Sequence, residues 1–274
     1  MGGQMSTTLT VTVAQVEVAR ADHASNLEKG RALVAEAARR GSDLVCFPEM
    51  WTTGFDWDAN RRIAAEHEKV SEDIAALALE HGIWVSGSML SLNRDGSLSN
   101  THRLFDPDGR VAGEYGKAHL FTMIHEESHE KAGDSLCLVD APWGPTALTV
   151  CYDIRFPELF RTYALKGAVV TLSPMAFPHP RLHHWKVLVR ARAIENQMFV
   201  VGANQVGSED FGPDGVATYC GDSVIIDPWG GTVIEGGETG EMLLTATIDT
   251  DMALRVRDRM KVLDDRRPDL YELG

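Results

Sequence analysis

The chain has 274 residues, with 26 basic against 40 acidic side chains and a net charge of −14. An apolar share of 44% and a charged share of 24% are ordinary for a folded chain and exclude a disordered or collagen-like one, and the acidic balance counts against binding a nucleic-acid backbone, which requires clustered Lys and Arg. Four scattered cysteines, Cys46, Cys137, Cys151 and Cys220, with no C-x-x-C pair, exclude a disulfide framework and a zinc ribbon. The polar start MGGQMSTTLT lacks the charged start and apolar stretch of a secretory signal. Met1-Gly2 with Ser6 fits the loose myristoylation pattern, but no polybasic patch follows, and one acyl chain anchors weakly. No apolar run approaches the roughly 18 residues of a membrane helix. A soluble protein of the reducing cytoplasm is therefore expected. Residues 1–6 should lie outside the folded domain, with Met5 as an alternative start.

Strand-like and helix-like segments alternate along the chain. Leu9 to Val16 is β-branched with period 2 and reads as a strand. Asn26 to Arg40 reads as a helix stopped by Gly41, and Asp43 to Phe47 as a buried strand closed by Pro48. Ser71 to Glu80 predicts a second helix, ended near Gly82, and Ile83 to Leu90 a strand. Ser99 to Phe105 and Arg110 to Tyr115 flank the turn Asp106-Pro107-Asp108-Gly109 and predict a hairpin. Ala147 to Val150 is a strand running into Cys151. Phe156 to Lys166 reads as a helix and Ala168 to Leu172 as a strand. Leu182, Trp185, Val189 and Ala193 recur at helical steps, and strands follow at Met198 to Ala203, Ser223 to Ile226 and Met242 to Ile248. With no linker or short-period repeat, this predicts a single α/β domain over residues 1–274, with apolar-faced sheets covered by helices.

Three reactive residues of complementary type each follow a predicted strand: Glu49 after DLVCF and Pro48, Lys117 after Val111 to Tyr115, and Cys151 after ALTV. Strand ends are where α/β folds place their sites. A thiol needs a base to become a thiolate near neutral pH, which a carboxylate supplies, and an ammonium can stabilise the oxyanion of a tetrahedral intermediate. Singly, each has a blander reading: a small buried hydrophobe, a helix-start charge, a solvated lysine.

The surroundings read Phe47-Pro48-Glu49-Met50, Tyr115-Gly116-Lys117-Ala118-His119-Leu120-Phe121 and Cys151-Tyr152-Asp153-Ile154-Arg155-Phe156-Pro157-Glu158. In these motifs, taken in order, the chain resembles the nitrilase superfamily of carbon–nitrogen hydrolases. The likeness runs from Val13-Ala14-Gln15 through Ala191-Arg192-Ala193-Ile194-Glu195-Asn196 and Asp227-Pro228-Trp229-Gly230 to Asp265-Arg266-Arg267-Pro268-Asp269-Leu270-Tyr271. The resemblance implies a four-layer αββα sandwich and a Glu-Lys-Cys triad. It makes Glu49 the general base, Lys117 with the backbone N–H of Tyr152 the oxyanion donors, and Cys151 the nucleophile that forms a thioester. A second glutamate beside the site is also implied. Glu126, seven residues before Gly133, matches it best, with its neighbour Glu127 the alternative. The resemblance further implies homodimers or larger homo-oligomers, with the helices around Arg155 to Leu165 and from Leu182 as interface candidates and Arg255 to Tyr271 reaching a partner.

His125-Glu126-Glu127-Ser128-His129 matches H-E-x-x-H, the pattern of zinc hydrolases. That chemistry needs both histidines on one helix face and a third ligand. The segment is short, polar and ends at Ala132-Gly133-Asp134, so a metal is not expected. There is no G-x-S-x-G elbow and no P-loop, and no cofactor is expected. Glu49-Met50-Trp51-Thr52-Thr53-Gly54-Phe55 and Lys117-Ala118-His119-Leu120-Phe121-Thr122-Met123 resemble the omega-amidase branch, whose substrates are 2-oxoglutaramate and 2-oxosuccinamate. Aliphatic amidase, carbamoylase and nitrilase are the alternatives within the family. The chain departs from that branch at Met175-Ala176-Phe177-Pro178, a stretch that lines the pocket in the family. Phe55, Met175 and Phe177 are candidate pocket walls, and core packing is their alternative. Arg181 is a candidate partner for a substrate carboxylate, with a solvated helix start as its alternative.

Overall fold

The computed structural model describes residues 7–63, 66–212 and 215–271, so the boundary expected at residues 1–6 lies outside the described residues. The chain opens with β1 (Thr8–Glu17), α1 (His23–Arg39), β2 (Leu44–Cys46), α2 (Trp57–Arg62) and α3 (His67–His81). It continues through β3 (Trp84–Leu92), β4 (Leu98–Phe105), β5 (Val111–Gly116), β6 (Leu138–Ala141), β7 (Gly144–Leu148), α4 (Pro157–Leu165) and β8 (Val170–Met175). Last come α5 (Leu182–Asn196), β9 (Phe199–Val206), β10 (Ser208–Asp210), β11 (Val216–Thr218), β12 (Val224–Ile226), β13 (Thr232–Glu235), β14 (Met242–Asp249) and α6 (Asp251–Arg259).

Local chemistry explains the boundaries. Asp22 caps α1 by accepting the Ser25 N–H. α3 stops at Gly82, which takes the left-handed conformation at φ 61°. α4 begins with Pro157, whose missing N–H is not needed in a first turn. The expected hairpin forms as β4–β5, antiparallel with Thr101 opposite Gly116.

Two large ribbons of strands run in the orders β14-β1-β2-β3-β4-β5 and β6-β7-β8-β9-β12-β13, and β10 and β11 form a separate two-stranded ribbon. Among the described residues the strands of the two large ribbons pair with each other only where the end of β1 runs parallel to the end of β9, Val16 opposite Gln205 and Glu17 opposite Val206. Period-2 alternation splits each large ribbon between two cores. Leu9, Val11 and Val13 of β1 face a central cluster that also takes Leu148, Val170, Leu172, Phe199 and Ile225 from the other ribbon. Ala14 and Val16 face α1 and α3, packing with Val34, Ile74 and Leu77. On the other side, Val200 and Ile226 pack with Tyr163 of α4 and Trp185 and Val189 of α5. The clusters therefore run helix, sheet, sheet, helix, in the order expected of an αββα sandwich. Burying each such aliphatic side chain contributes about 1.5–3 kcal/mol before entropy is counted.

Candidate active site

The seam between the two ribbons is where the reactive residues meet. Glu49 follows β2 and is buried; its backbone is held from the far ribbon, its N–H donating to the Met175 carbonyl at 3.3 Å and its carbonyl accepting from Gln205 Nε2 at 2.7 Å. Its carboxylate Oε1 accepts from Asn100 Nδ2 at 2.9 Å and from Lys117 Nζ at 2.8 Å. Lys117 leaves β5 with its N–H on the Asn100 carbonyl at 2.8 Å, and its own carbonyl accepts from Gly133 N at 2.9 Å. That last contact needs glycine, because a Cβ on Gly133 would drive into the Gly116 carbonyl oxygen.

The Lys117 ammonium spends all three protons on carboxylates: one on Glu49 and two on Glu126, at 2.8 Å to Oε1 and 2.7 Å to Oε2. Burial alone would lower the Lys117 pKa, but the Glu126 and Glu49 charges hold it well above the ordinary lysine value. Burial raises Glu126, and Lys117 opposes the rise. Glu126 also accepts the Phe121 N–H at 2.7 Å. Glu127 stands at the surface beside His125, at 3.7 Å, so of the two candidates Glu126 is the one at Lys117.

Cys151 sits on a sharp turn. Val150 is extended at φ −136°, Cys151 is left-handed at φ 39°, and a 3-10 turn over Cys151–Arg155 follows. A non-glycine residue in that region is strained and persists only where its surroundings fix it. Asp153, fully buried, supplies the fixing: Oδ2 accepts the Val150 N–H at 2.8 Å and the Tyr115 hydroxyl at 2.9 Å, and Oδ1 accepts His119 Nδ1–H at 2.7 Å. Glu49, Lys117 and Ala176 line the same pocket as Cys151. Burial, then the Glu49 charge, push the Cys151 thiol well above its ordinary value, while Lys117 pulls it down. A thiol thus shares one pocket with a carboxyl group that the Lys117 ammonium holds at 2.8 Å. This constellation can ionise a thiol and meet the negative charge that develops on its target.

Cys151 lines a small pocket of about 70 Å³. Phe55, Phe177 and Tyr152 line it, and so do Arg181 and Glu126. Met175 does not line it. The alternation of β8 turns Met175 away into the core under α4 and α5, and its neighbour Ala176 reaches the pocket instead. Arg181 stands over the Phe121 ring at 5.5 Å, with burial and Arg155 lowering its pKa. Sequence reasoning missed Arg155, Phe121, Phe211 and Tyr219 on the pocket, although Arg155 and the anchor Asp153 stand inside the quoted Cys151 motif. It also missed Glu130, which is buried with neither carboxyl oxygen partnered among the described residues. Burial, then the Glu126 charge, raise the Glu130 pKa well above its ordinary value.

The H-E-x-x-H segment forms two 3-10 turns broken by His125 at φ 55°, not a helix, so its histidines do not share a face. His129 stacks on Trp57 at 4.8 Å and accepts from Arg61 at 2.6 Å, while Glu126 is committed to Lys117. Among the described residues, no group of three or more His, Cys, Asp or Glu side chains is placed to hold a metal. Cys46 and Cys220 are buried, each raised to about 12 by burial, and neither faces the pocket.

The sequence model of the Carbon-nitrogen hydrolase family matches residues 10–258, and the chain belongs to that family of enzymes. It is 34% identical to the 2-oxoglutaramate amidase of Bacillus subtilis (strain 168), over 96% of this chain and 99% of that protein. It is 33% identical to Omega-amidase NIT2 of Mus musculus, over 90% and 91%. In fold it matches a carbon-nitrogen hydrolase from Helicobacter pylori G27 with a TM-score of 0.91 at 23% identity, covering 98% of each chain. It also matches a mutant of the amidase from Nesterenkonia sp. AN1 that shows Michael addition of acrylamide at the active site cysteine, with a TM-score of 0.85 at 25% identity over 96% of this chain and 98% of that one.

Proposed function

We propose that this enzyme hydrolyses the amide of a small linear acid, releasing ammonia through a thioester on Cys151, and that 2-oxoglutaramate and 2-oxosuccinamate are its preferred substrates. The observation that carries the reading is Cys151 lining one pocket with Glu49 and Lys117, with the Lys117 ammonium 2.8 Å from the Glu49 carboxylate. Glu49 takes the thiol proton as sulfur attacks the amide carbon. The oxyanion forms within reach of the Lys117 ammonium and the Tyr152 backbone N–H. Glu49 returns the proton to the leaving nitrogen, the C–N bond breaks, and ammonia departs. Glu49 then deprotonates water, which attacks the thioester carbon; the carboxylic acid leaves and the proton returns to the thiol. Glu126 orients Lys117 throughout, since it holds two of its three protons.

Arg155 and Arg181 on the pocket lining favour an amide that also carries a carboxylate. Aliphatic amides, carbamoyl compounds and nitriles are the competing substrates, and an ammonia-release screen across all four classes tests the assignment. The expected result is the highest kcat/KM on the oxo-acid amides. Arg181→Ala should then raise their KM by about tenfold or more while changing that of uncharged amides much less. A preference for uncharged amides that Arg181→Ala leaves intact would shift the assignment to aliphatic amidase.

We further propose a homo-oligomer of the cytoplasm. Leu165 of α4 and Val187 and Ile194 of α5 are exposed together with Trp229, while the segment from Arg255 is tied to its own chain by Arg257 on the Ala168 carbonyl and Gln197 on the Met260 carbonyl. Size exclusion with light scattering tests this, and a monomer at micromolar concentration would reject it. A reducing compartment suits a free catalytic thiol, and no helix among the described residues is long and apolar enough to cross a membrane.

A further inference from the structure

One wall of the pocket is assembled from distant parts of the chain. Phe55 comes from the loop after β2, Phe211 and Ala217 from the β10–β11 ribbon, and Tyr219 from just beyond it. Phe55 and Phe211 meet with ring centroids 6.1 Å apart. A single carboxylate joins these parts. Glu209 of β10, only 6% exposed, accepts the Phe55 N–H on Oε1 at 2.7 Å and the Tyr219 hydroxyl on Oε2 at 2.8 Å. Arg20 lies 3.6 Å from the same Oε1 and 3.4 Å from Asp56, balancing the charge from the solvent side. The loop backbone comes so close that a Cβ on Gly54 would stand 3.1 Å from Glu209 Oε1, and Gly54 is left-handed at φ +65°. Glycine satisfies both demands. Asn60 Nδ2 holds the Gly54 carbonyl from the other side at 3.0 Å. Among the described residues, no hydrogen bond joins Glu209 to Cys151, Glu49, Lys117 or Glu126.

We propose that Glu209 is a positioning residue for acyl specificity: by tying the Phe55 loop to the β10–β11 ribbon it fixes the aromatic wall against which the acyl chain of the substrate packs. This rests on the reading of the pocket as an amidase site. Two segments 154 residues apart are held by charge-assisted hydrogen bonds inside an apolar setting, where such bonds are short and directional. Without the carboxylate, the Phe55 N–H and the Tyr219 hydroxyl lose their acceptor, and this tie between the loop and the ribbon is lost. An acyl chain long enough to touch the wall then loses packing. A two-carbon acyl group, held by the groups around Cys151, does not.

Steady-state ammonia release from unbranched amides of two to six carbons tests this in wild type, Glu209→Ala and Glu209→Gln. The expected result is a KM ratio, Glu209→Ala over wild type, that grows with chain length, to about tenfold more at five carbons than at two, with kcat moving less than about threefold. Glu209→Gln keeps an oxygen for the Phe55 N–H and offers its NH₂ to the Tyr219 oxygen, so it should bring that growth back to within about threefold. Tyr219→Phe, which removes one of the two bonds, should give the same length-dependent trend and replaces Glu209→Ala where that variant does not fold. A ratio flat across chain length, or a uniform fall in kcat, overturns the inference alone when Cys151→Ala is inactive. Activity retained in Cys151→Ala overturns the reading of the pocket and this inference with it.

Discussion

Lys117 shows how the reactive groups depend on one another. Its ammonium compensates two buried carboxylates at once, Glu49 and Glu126. Lys117→Met keeps much of the volume and leaves both acids buried without a counter-charge. The expected loss is about 100-fold or more in kcat and about 3–5 kcal/mol of stability at neutral pH. Ammonia release and urea unfolding measure the two, and the stability deficit should shrink as pH falls and the acids protonate. Glu130 behaves in the opposite sense. Its pKa is raised on folding, so its contribution is fully present below the ordinary carboxylate value of 4.5 and is lost as pH rises toward the folded value. Glu130→Gln, neutral at every pH, should therefore raise Tm more at pH 8 than at pH 5, by about 2 °C or more per kcal/mol relieved in a chain of this size. An equal shift at both pH values would mean that Glu130 does not carry its proton there.

The elements that present these groups are short turns at strand ends, and these were also the parts most open to reading. A buried β-branched run followed at once by Glu49, Lys117 or Cys151 is a local pattern, and a local pattern survives in sequence. Glu126 was legible only by its spacing to Gly133, and burial against Lys117 is what separates it from Glu127. Met175 was misplaced because one residue of register decides which face of β8 a side chain takes. Arg155 and Asp153 stood inside a motif already singled out, but their tasks depend on partners from β5, the His119 loop and α5. Phe211, Tyr219 and Glu209 had no local signal, since β10 and β11 are three residues each and owe their place to distant contacts. The same reasoning makes the Cys151 turn testable as an element. Asp153→Asn preserves size but turns one acceptor oxygen into a donor facing donors. It should cost about 1–3 kcal/mol through unpaired buried groups, together with a fall in kcat. Unchanged kcat with a lowered Tm would show that the turn holds Cys151 without Asp153.

At the scale of the whole molecule the site belongs to a seam, with Glu49, Lys117 and Glu126 from one ribbon and its loops, and Cys151, Ala176 and Phe177 from the other. Another buried group crosses the same seam. His102 of β4 donates from Nδ1 to the Thr149 carbonyl at 3.0 Å and accepts the Ser86 hydroxyl on Nε2 at 2.7 Å. Burial lowers its pKa to about 3. A base depressed in this way supports the fold above its ordinary value of 6.5 and loses that contribution as pH falls toward 3. Stability should drop by up to about 1.4 kcal/mol per pH unit across that window. Urea unfolding at several pH values would show the slope, and His102→Gln should flatten it. An unaltered slope in that variant would assign the acid sensitivity to other groups.

The central claim is that Cys151 breaks a carbon–nitrogen bond with Glu49 as its base. Ammonia release from 2-oxoglutaramate, compared between wild type and a Cys151→Ala variant of matched thermal stability, tests it most directly. The account predicts turnover by the wild type and a loss of about 10⁴-fold or more in the variant. Ammonia released at comparable rates by both would contradict it.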